Sequence, residues 1–190
     1  MGKNRLEAFS DGVLAVAITI MVLEIKVPHG TDVGVLLPLM PKFLSYVLSF
    51  LYLGIYWNNH HHMLHTVQKV TGPVLWANHH LLFWLTLIPF ATGWMGENAF
   101  AAWPIVVYGF VLLMSAIAYY ILQSTIIRSQ GKDSLLQKAV AGDWKGKLSP
   151  LIYFTAMLSA FWLPWFSLGL YLFAAFIWLI PDQRIERVYN

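Results

Sequence analysis

The sequence predicts an all-α integral membrane protein with six transmembrane helices. Hydrophobic residues make up 58% of the 190 residues and charged residues only 11%, whereas a soluble domain usually carries about 25% charged residues. So few charges cannot cover a surface exposed to water. Several apolar runs are long enough to cross a hydrocarbon core of roughly 30 Å as helices. The length fits one domain that covers residues 1–190.

The apolar runs define the six helices in chain order, because turn residues separate them. We place the helices at about 5–26, 36–58, 73–93, 102–127, 148–163 and 165–181. The separating segments include Pro28-His29-Gly30, Thr71-Gly72-Pro73 and Gly131-Lys132-Asp133. Only Pro164 divides the last two helices, which predicts a tight helical hairpin.

The basic residues predict the orientation of the chain in the membrane. In this arrangement one side holds Lys3, Arg5, Lys69, Arg128, Lys132, Lys138, Lys145, Lys147, Arg184 and Arg187, and the other side holds Lys26 and Lys42. The side rich in Lys and Arg is cytoplasmic by the positive-inside rule, so both termini are expected in the cytoplasm. These residues lie in short loops and form no basic patch, so the sequence indicates no nucleic-acid partner.

The first helix is unusual for a lipid-facing span. Only twelve residues separate Asp11 from Glu24, which gives roughly 18 Å of apolar helix. Its ionisable residues therefore need polar or protein-enclosed surroundings. Gly12, Val16, Thr19 and Leu23 share one slim face of this helix. Such a face suits either close approach to symmetry copies around a narrow axis or, more commonly, a packing seam between helices of one subunit.

The histidines leave two hypotheses open. His60, His61, His62, His65, His79 and His80 are clustered in the second and third helices. His61 and His65 have the i,i+4 spacing of zinc ligands, so one alternative is a metal- or haem-binding membrane protein. No H-E-x-x-H motif and no neighbouring carboxylate supports it. The other hypothesis is a hydrogen-bond network that joins the histidines and Asn78 to Arg5, Ser10 and Asp11. A secondary transporter would require inverted repeats, which we do not find.

Four short motifs resemble one known family. Arg5-Leu6-Glu7-Ala8-Phe9-Ser10-Asp11 fits the pattern R-x-x-x-F-S-D, and Trp57-Asn58-Asn59-His60-His61 fits W-x-x-H-H. Trp76-x-Asn78 and Leu87-Ile88-Pro89-Phe90 follow in the third helix. With these motifs and a single six-helix unit, the chain resembles the prokaryotic form of the endolysosomal potassium channel family, known as the transmembrane protein 175 family.

The resemblance implies a homotetrameric potassium channel in a prokaryotic cell membrane, not an enzyme. The first helix of each subunit would line a central pore permeated by potassium ions, and no cofactor is expected. A hydrophobic constriction would fall at Val16, a threonine layer at Thr19, and further apolar layers at Ile20 and Leu23. Selection by side chains instead of a carbonyl filter implies modest potassium selectivity. We expect Arg5, Phe9, Ser10, Asp11, His61, Trp76 and Asn78 to form a structural network that supports the pore helix.

Overall fold

The computed structural model describes residues 2–131, 134–140 and 144–179, and the part of the chain that it describes is almost entirely helical. The α-helices are α1 (Lys3–Leu23), α2 (Met40–His65), α3 (Gly72–Thr86), α4 (Ile88–Glu97), α5 (Ala102–Gln130), α6 (Leu135–Val140), α7 (Trp144–Ser159) and α8 (Pro164–Leu179). A 3₁₀ helix, Val33–Leu39, leads into α2. The prediction of an all-α fold is confirmed.

Six long helical segments result, because α3 and α4 follow each other with a single break at Leu87. Pro89 lies in the first turn of α4 and has no backbone N–H to donate to the preceding turn. At the break itself, the Leu87 amide donates to the Trp84 carbonyl, 3.1 Å away. By length and hydropathy α1, residues 33–65, residues 72–97 and α5 are each able to cross a membrane, and α8 is a shorter apolar helix. The predicted six-helix membrane protein is confirmed as six helical segments, four of which have the length and hydropathy of a membrane span.

The second helix extends further than the sequence pattern indicated. We placed its end at residue 58, where Asn58 and Asn59 open a polar stretch, but α2 continues to His65. The helix continues through this stretch because buried polar side chains in it are bonded. Asn59, for example, donates from Nδ2 to the Ile55 carbonyl at 2.8 Å. The fifth predicted helix, at 148–163, corresponds to α7, which is described over Trp144–Ser159. The sixth predicted helix corresponds to α8, and its expected end at 181 lies outside the described residues.

The helices pack around α5, which contacts α3, α4, α7 and α8, while α1 packs against α2, α3 and α4. Glycine permits two of the close approaches. A Cβ at Gly109 of α5 would collide with the Tyr171 hydroxyl and lie 2.8 Å from Cγ of Met157. A Cβ at Gly96 of α4 would lie 2.8 Å from Cα of Lys42 in α2. Both contacts are closer than any larger residue allows.

Candidate functional site

The first helix has one face that the subunit covers and one that it leaves open. The covered face consists of Leu6, Ser10, Leu14, Ala17 and Met21, which follow the three-and-four spacing of a helix side. The opposite face carries the residues predicted for the pore. Val16, Ile20 and Leu23 are 56%, 43% and 77% exposed, and Thr19 is exposed as well. In a membrane protein, an apolar helix face left this open lies either against lipid or against another protein surface.

Gly12 lies on the same open face, and nothing approaches the position of its absent Cβ within 4 Å. Beside it, α1 and the α3–α4 segment border an apolar groove of about 790 Å³. The groove is lined by Phe9, Gly12, Val16, Ile20, Glu24, Thr86, Pro89 and Phe90, among others. A glycine next to a groove allows a neighbouring helix to approach the backbone of α1 closely.

Hydrogen bonds within α1 fix the orientation of the Thr19 hydroxyl group. Its hydroxyl donates within α1 to the carbonyl oxygens of Ala15 and Val16, each 3.0 Å away. The hydroxyl hydrogen therefore points back into the helix, and the lone pairs of Oγ1 are left on the exposed side. An oxygen in this arrangement can accept a hydrogen bond from water or coordinate a cation.

A buried chain of hydrogen bonds ties α1 to α2 and α3. Ser10 Oγ donates to the Leu6 carbonyl at 2.9 Å and accepts from Asn78 Nδ2 at 3.0 Å. The other end of the Asn78 amide, Oδ1, lies 2.7 Å from Nε2 of His60. The three side chains are at most 1% exposed. Because the single Ser10 hydrogen is used on Leu6, Asn78 must donate to Ser10, and its oxygen then accepts a hydrogen bond from the Nε2–H of His60.

Three further contacts lie around the R-x-x-x-F-S-D motif. The indole N–H of Trp57 donates to Oδ1 of Asp11 at 3.0 Å. The Phe9 ring stacks on His79 with 5.5 Å between ring centroids, and Trp76 lies beside the same imidazole at 6.1 Å. These contacts fix the start of α1 against both α2 and α3.

The structure brings together most of the expected network but not all of it. Ser10 and Asn78 are bonded directly, and Phe9, Trp76 and Asp11 contact neighbouring aromatic residues. Arg5 is exposed; its backbone amide donates to the Gly2 carbonyl at 3.2 Å, but within residues 2–131 its side chain makes no hydrogen bond to the expected network. His61 is also exposed and stacks on His65 at 6.2 Å, whereas His60 bonds to Asn78.

The histidines were expected in the network as a group, but the set of supporting residues expected from the sequence names His61 and omits His60, Trp57 and His79. A signal for His60 was present, because the buried positions Leu53, Tyr56, Asn59, His60, Met63 and Leu64 follow helical spacing. That spacing places His60 inside and His61 outside. Within the described residues no group of three or more His, Cys, Asp or Glu side chains is arranged to hold a metal ion. The His61–His65 pair therefore lacks a third ligand of these types there.

The fold and this region define a multi-span α-helical membrane protein whose first helix exposes an apolar face. A family profile described as the endosomal/lysosomal potassium channel TMEM175 matches residues 5–89. A potassium channel of Chryseobacterium sp. (strain P1-3) is 54% identical over 187 residues, covering 98% of this chain and 97% of its own length. The chain belongs to the TMEM175 family, which confirms the resemblance and agrees with the expectation that it is not an enzyme.

Another relative and one solved structure are also similar to this chain. A potassium channel of Streptomyces collinus is 35% identical over 125 residues, which cover 62% of this chain and 61% of that protein. The crystal structure of a lysosomal potassium-selective channel TMEM175 homolog from Chamaesiphon minutus superimposes with a TM-score of 0.82 at 30% identity. That superposition covers 95% of this chain and 97% of the solved one.

Proposed function

We propose that this protein is a potassium channel of the cell membrane, in which four copies place α1 around a central pore. The main support for this proposal is the open face of α1. This face is an apolar stripe with one hydroxyl per subunit, that of Thr19, and such a face suits a narrow ion pathway better than a lipid surface. The relatives, which are two potassium channels and a potassium-selective homolog, support the same ion. Conduction is passive, and both termini face the cytoplasm.

Assembly around the axis accounts for the surfaces that one subunit leaves uncovered. The groove beside Gly12 receives the first helix of a neighbouring copy, which brings the apolar stripes of the four helices together. Phe90 on the far wall of this groove is 66% exposed in the single chain. Burial of these aromatic and aliphatic side chains between subunits provides the packing that stabilises helix association in membranes.

The pore residues act at successive levels of α1. Four Val16 side chains form a ring that blocks ions by dewetting when it is narrow. One turn further along the helix, the outward lone pairs of four Thr19 hydroxyls replace part of the hydration shell of the ion. Potassium ions lose their hydration more readily than sodium ions, so these hydroxyls favour potassium modestly. Ile20 and Leu23 add apolar layers that keep the pathway narrow.

The buried bonds around Ser10 hold this helix in register and do not bind the ion. Ser10, Asn78 and His60 lie on the covered side of α1, away from Val16 and Thr19. The Trp57 bond to Asp11 restrains the start of the helix from a second direction. A pore whose selectivity depends on side-chain positions requires this rigid support.

Ion flux into liposomes tests the proposed function. Purified protein is reconstituted, and uptake of potassium is compared with that of sodium under equal gradients. We expect a cation flux that prefers potassium and is absent from protein-free vesicles. Equal permeation of potassium, sodium and chloride would contradict a selective channel. The absence of flux together with stoichiometric zinc or haem in the sample would favour the histidine-based alternative.

A further inference from the structure

A second cavity, distant from the open face of α1, lies between α2, α5, α7 and α8. It has a volume of about 660 Å³, within the range of about 300–1,000 Å³ in which small ligands usually bind. Its wall on α5 runs from Ala116 to Arg128. At ~1.5 Å per residue this wall is about 18 Å long. The cavity is therefore an elongated cleft between helices and not a rounded void.

The inner end of the cavity is aromatic. Tyr52, Tyr56, Tyr119 and Tyr153 line it together with Ala116. Two of these hydroxyls are engaged by the protein backbone, because Tyr52 donates to the Tyr171 carbonyl at 2.6 Å and Tyr119 donates to the Asn59 carbonyl at 3.2 Å. These residues thus offer ring surface more than hydrogen-bonding groups to an occupant. Such a wall suits a hydrocarbon chain.

The outer end is polar and basic. Arg128 and Lys147 line the mouth of the cavity, and both side chains are exposed. Trp178 forms part of the wall, held by a 2.7 Å bond from its indole N–H to Ser149 Oγ. These two exposed basic side chains at one end of the cavity favour an anionic group there.

We propose that this cavity binds an acyl chain of an anionic lipid, with Arg128 and Lys147 holding the head group. The aromatic inner end suits a hydrocarbon chain better than a free inorganic anion, and the basic end adds a charge interaction that a neutral amphiphile lacks. A membrane supplies molecules with both properties at the required depth. The site joins α2, which packs on the pore helix, to the α7–α8 pair, so an occupant links these elements. This inference stands on the cavity and does not require the proposed ion pathway.

Native mass spectrometry of the purified full-length protein in a non-ionic detergent tests the site. The probes are palmitate, hexadecanol of the same chain length, and inorganic phosphate. We expect one palmitate per subunit, about tenfold weaker binding of hexadecanol, and no retained phosphate. Equal binding of hexadecanol and palmitate would overturn the role of the head group. Retention of phosphate with palmitate bound no more tightly would make this a simple anion site and overturn the lipid proposal.

Variants separate the two ends of the cavity. In Arg128→Gln/Lys147→Gln, which changes only exposed side chains, the affinity for palmitate should fall about tenfold while that for hexadecanol is retained. Lys69→Gln removes an exposed charge on the α2–α3 connection and should leave palmitate binding unchanged. Ala116→Trp fills the inner end and should abolish binding of both amphiphiles in protein with an unaltered size-exclusion profile. Wild-type palmitate binding by the double glutamine variant would overturn the proposal.

Discussion

At the residue scale, helical spacing determined which buried polar groups meet. Ser10 and Asn78 could be selected from the sequence, because both stand among apolar residues and need partners where water is scarce. The choice between His60 and His61 required the phase of α2, and adjacent residues of a helix point about 100° apart. His60 lies on the side that packs against α3, and His61 faces outward. Composition and clustering alone cannot distinguish two neighbouring histidines.

The Ser10–Asn78–His60 chain should contribute measurably to stability. Asn78→Ala removes two hydrogen bonds and leaves a buried imidazole donor unpaired, so the free energy of unfolding should fall by about 1–3 kcal/mol. A double-mutant cycle with Ser10→Ala should give a coupling of about 0.6 kcal/mol, the usual strength of such bonds in membranes. Unfolding in mixed detergent micelles measures both values. Strict additivity of the two single changes would contradict direct coupling through the 3.0 Å bond.

Thr19→Ala tests the hydroxyl layer. The substitution removes four outward oxygens from the proposed pathway without adding bulk, so the potassium-to-sodium permeability ratio should fall roughly threefold to tenfold. Thr155→Ala is the matched control, because Thr155 is also exposed and donates to the carbonyl four residues before it. Reversal potentials in bilayers measure the ratio. An unchanged ratio in a folded Thr19→Ala protein would remove this residue from the selectivity layer.

At the element scale, apolar runs and turn residues were sufficient to identify all six helical segments. They did not predict the break at Leu87 or the continuation of α2 to His65. The first depends on one missing amide at Pro89 inside an otherwise apolar segment. The second depends on partners for polar side chains, the Ile55 carbonyl of the same helix for Asn59 and Asn78 of α3 for His60, which hydropathy does not reveal. Helix existence is encoded locally, whereas helix ends depend on what the polar side chains find in the fold.

Gly109 should be essential for the packing of α5 against α7 and α8. Gly109→Ala would force the Tyr171 ring or a helix backbone to move, because the new methyl group collides with the Tyr171 hydroxyl. We expect a loss of about 1–3 kcal/mol in unfolding free energy. Gly169→Ala, at a helical position with nothing within 4 Å of the added Cβ, should be neutral or stabilising by about 0.5–1 kcal/mol. Equal effects of the two substitutions would contradict this packing.

At the scale of the whole molecule, the single chain explains its own interior but not the exposed stripe on α1. Leu23 is 77% exposed and Val16 is 56% exposed, although both belong to an apolar helix. Periodicity identified this stripe but allowed either a seam within one subunit or an axis between subunits. The structure removes the first option for this face, because no helix of the described subunit covers it. In the proposed homotetramer, the α1 helices of the other subunits cover this face, which accounts for its small side chains.

Thiol block at Val16 tests the central claim most directly. The chain contains no cysteine, so Val16→Cys introduces a single reactive site. Val22→Cys is the matched control, since Val22 is 47% exposed but points about 120° away from Val16 around α1. Potassium flux is measured in liposomes before and after a small methanethiosulfonate reagent. We expect block of Val16→Cys and no change in Val22→Cys. Unimpaired flux through Val16→Cys that mass spectrometry shows to be fully modified would contradict a pore lined by α1.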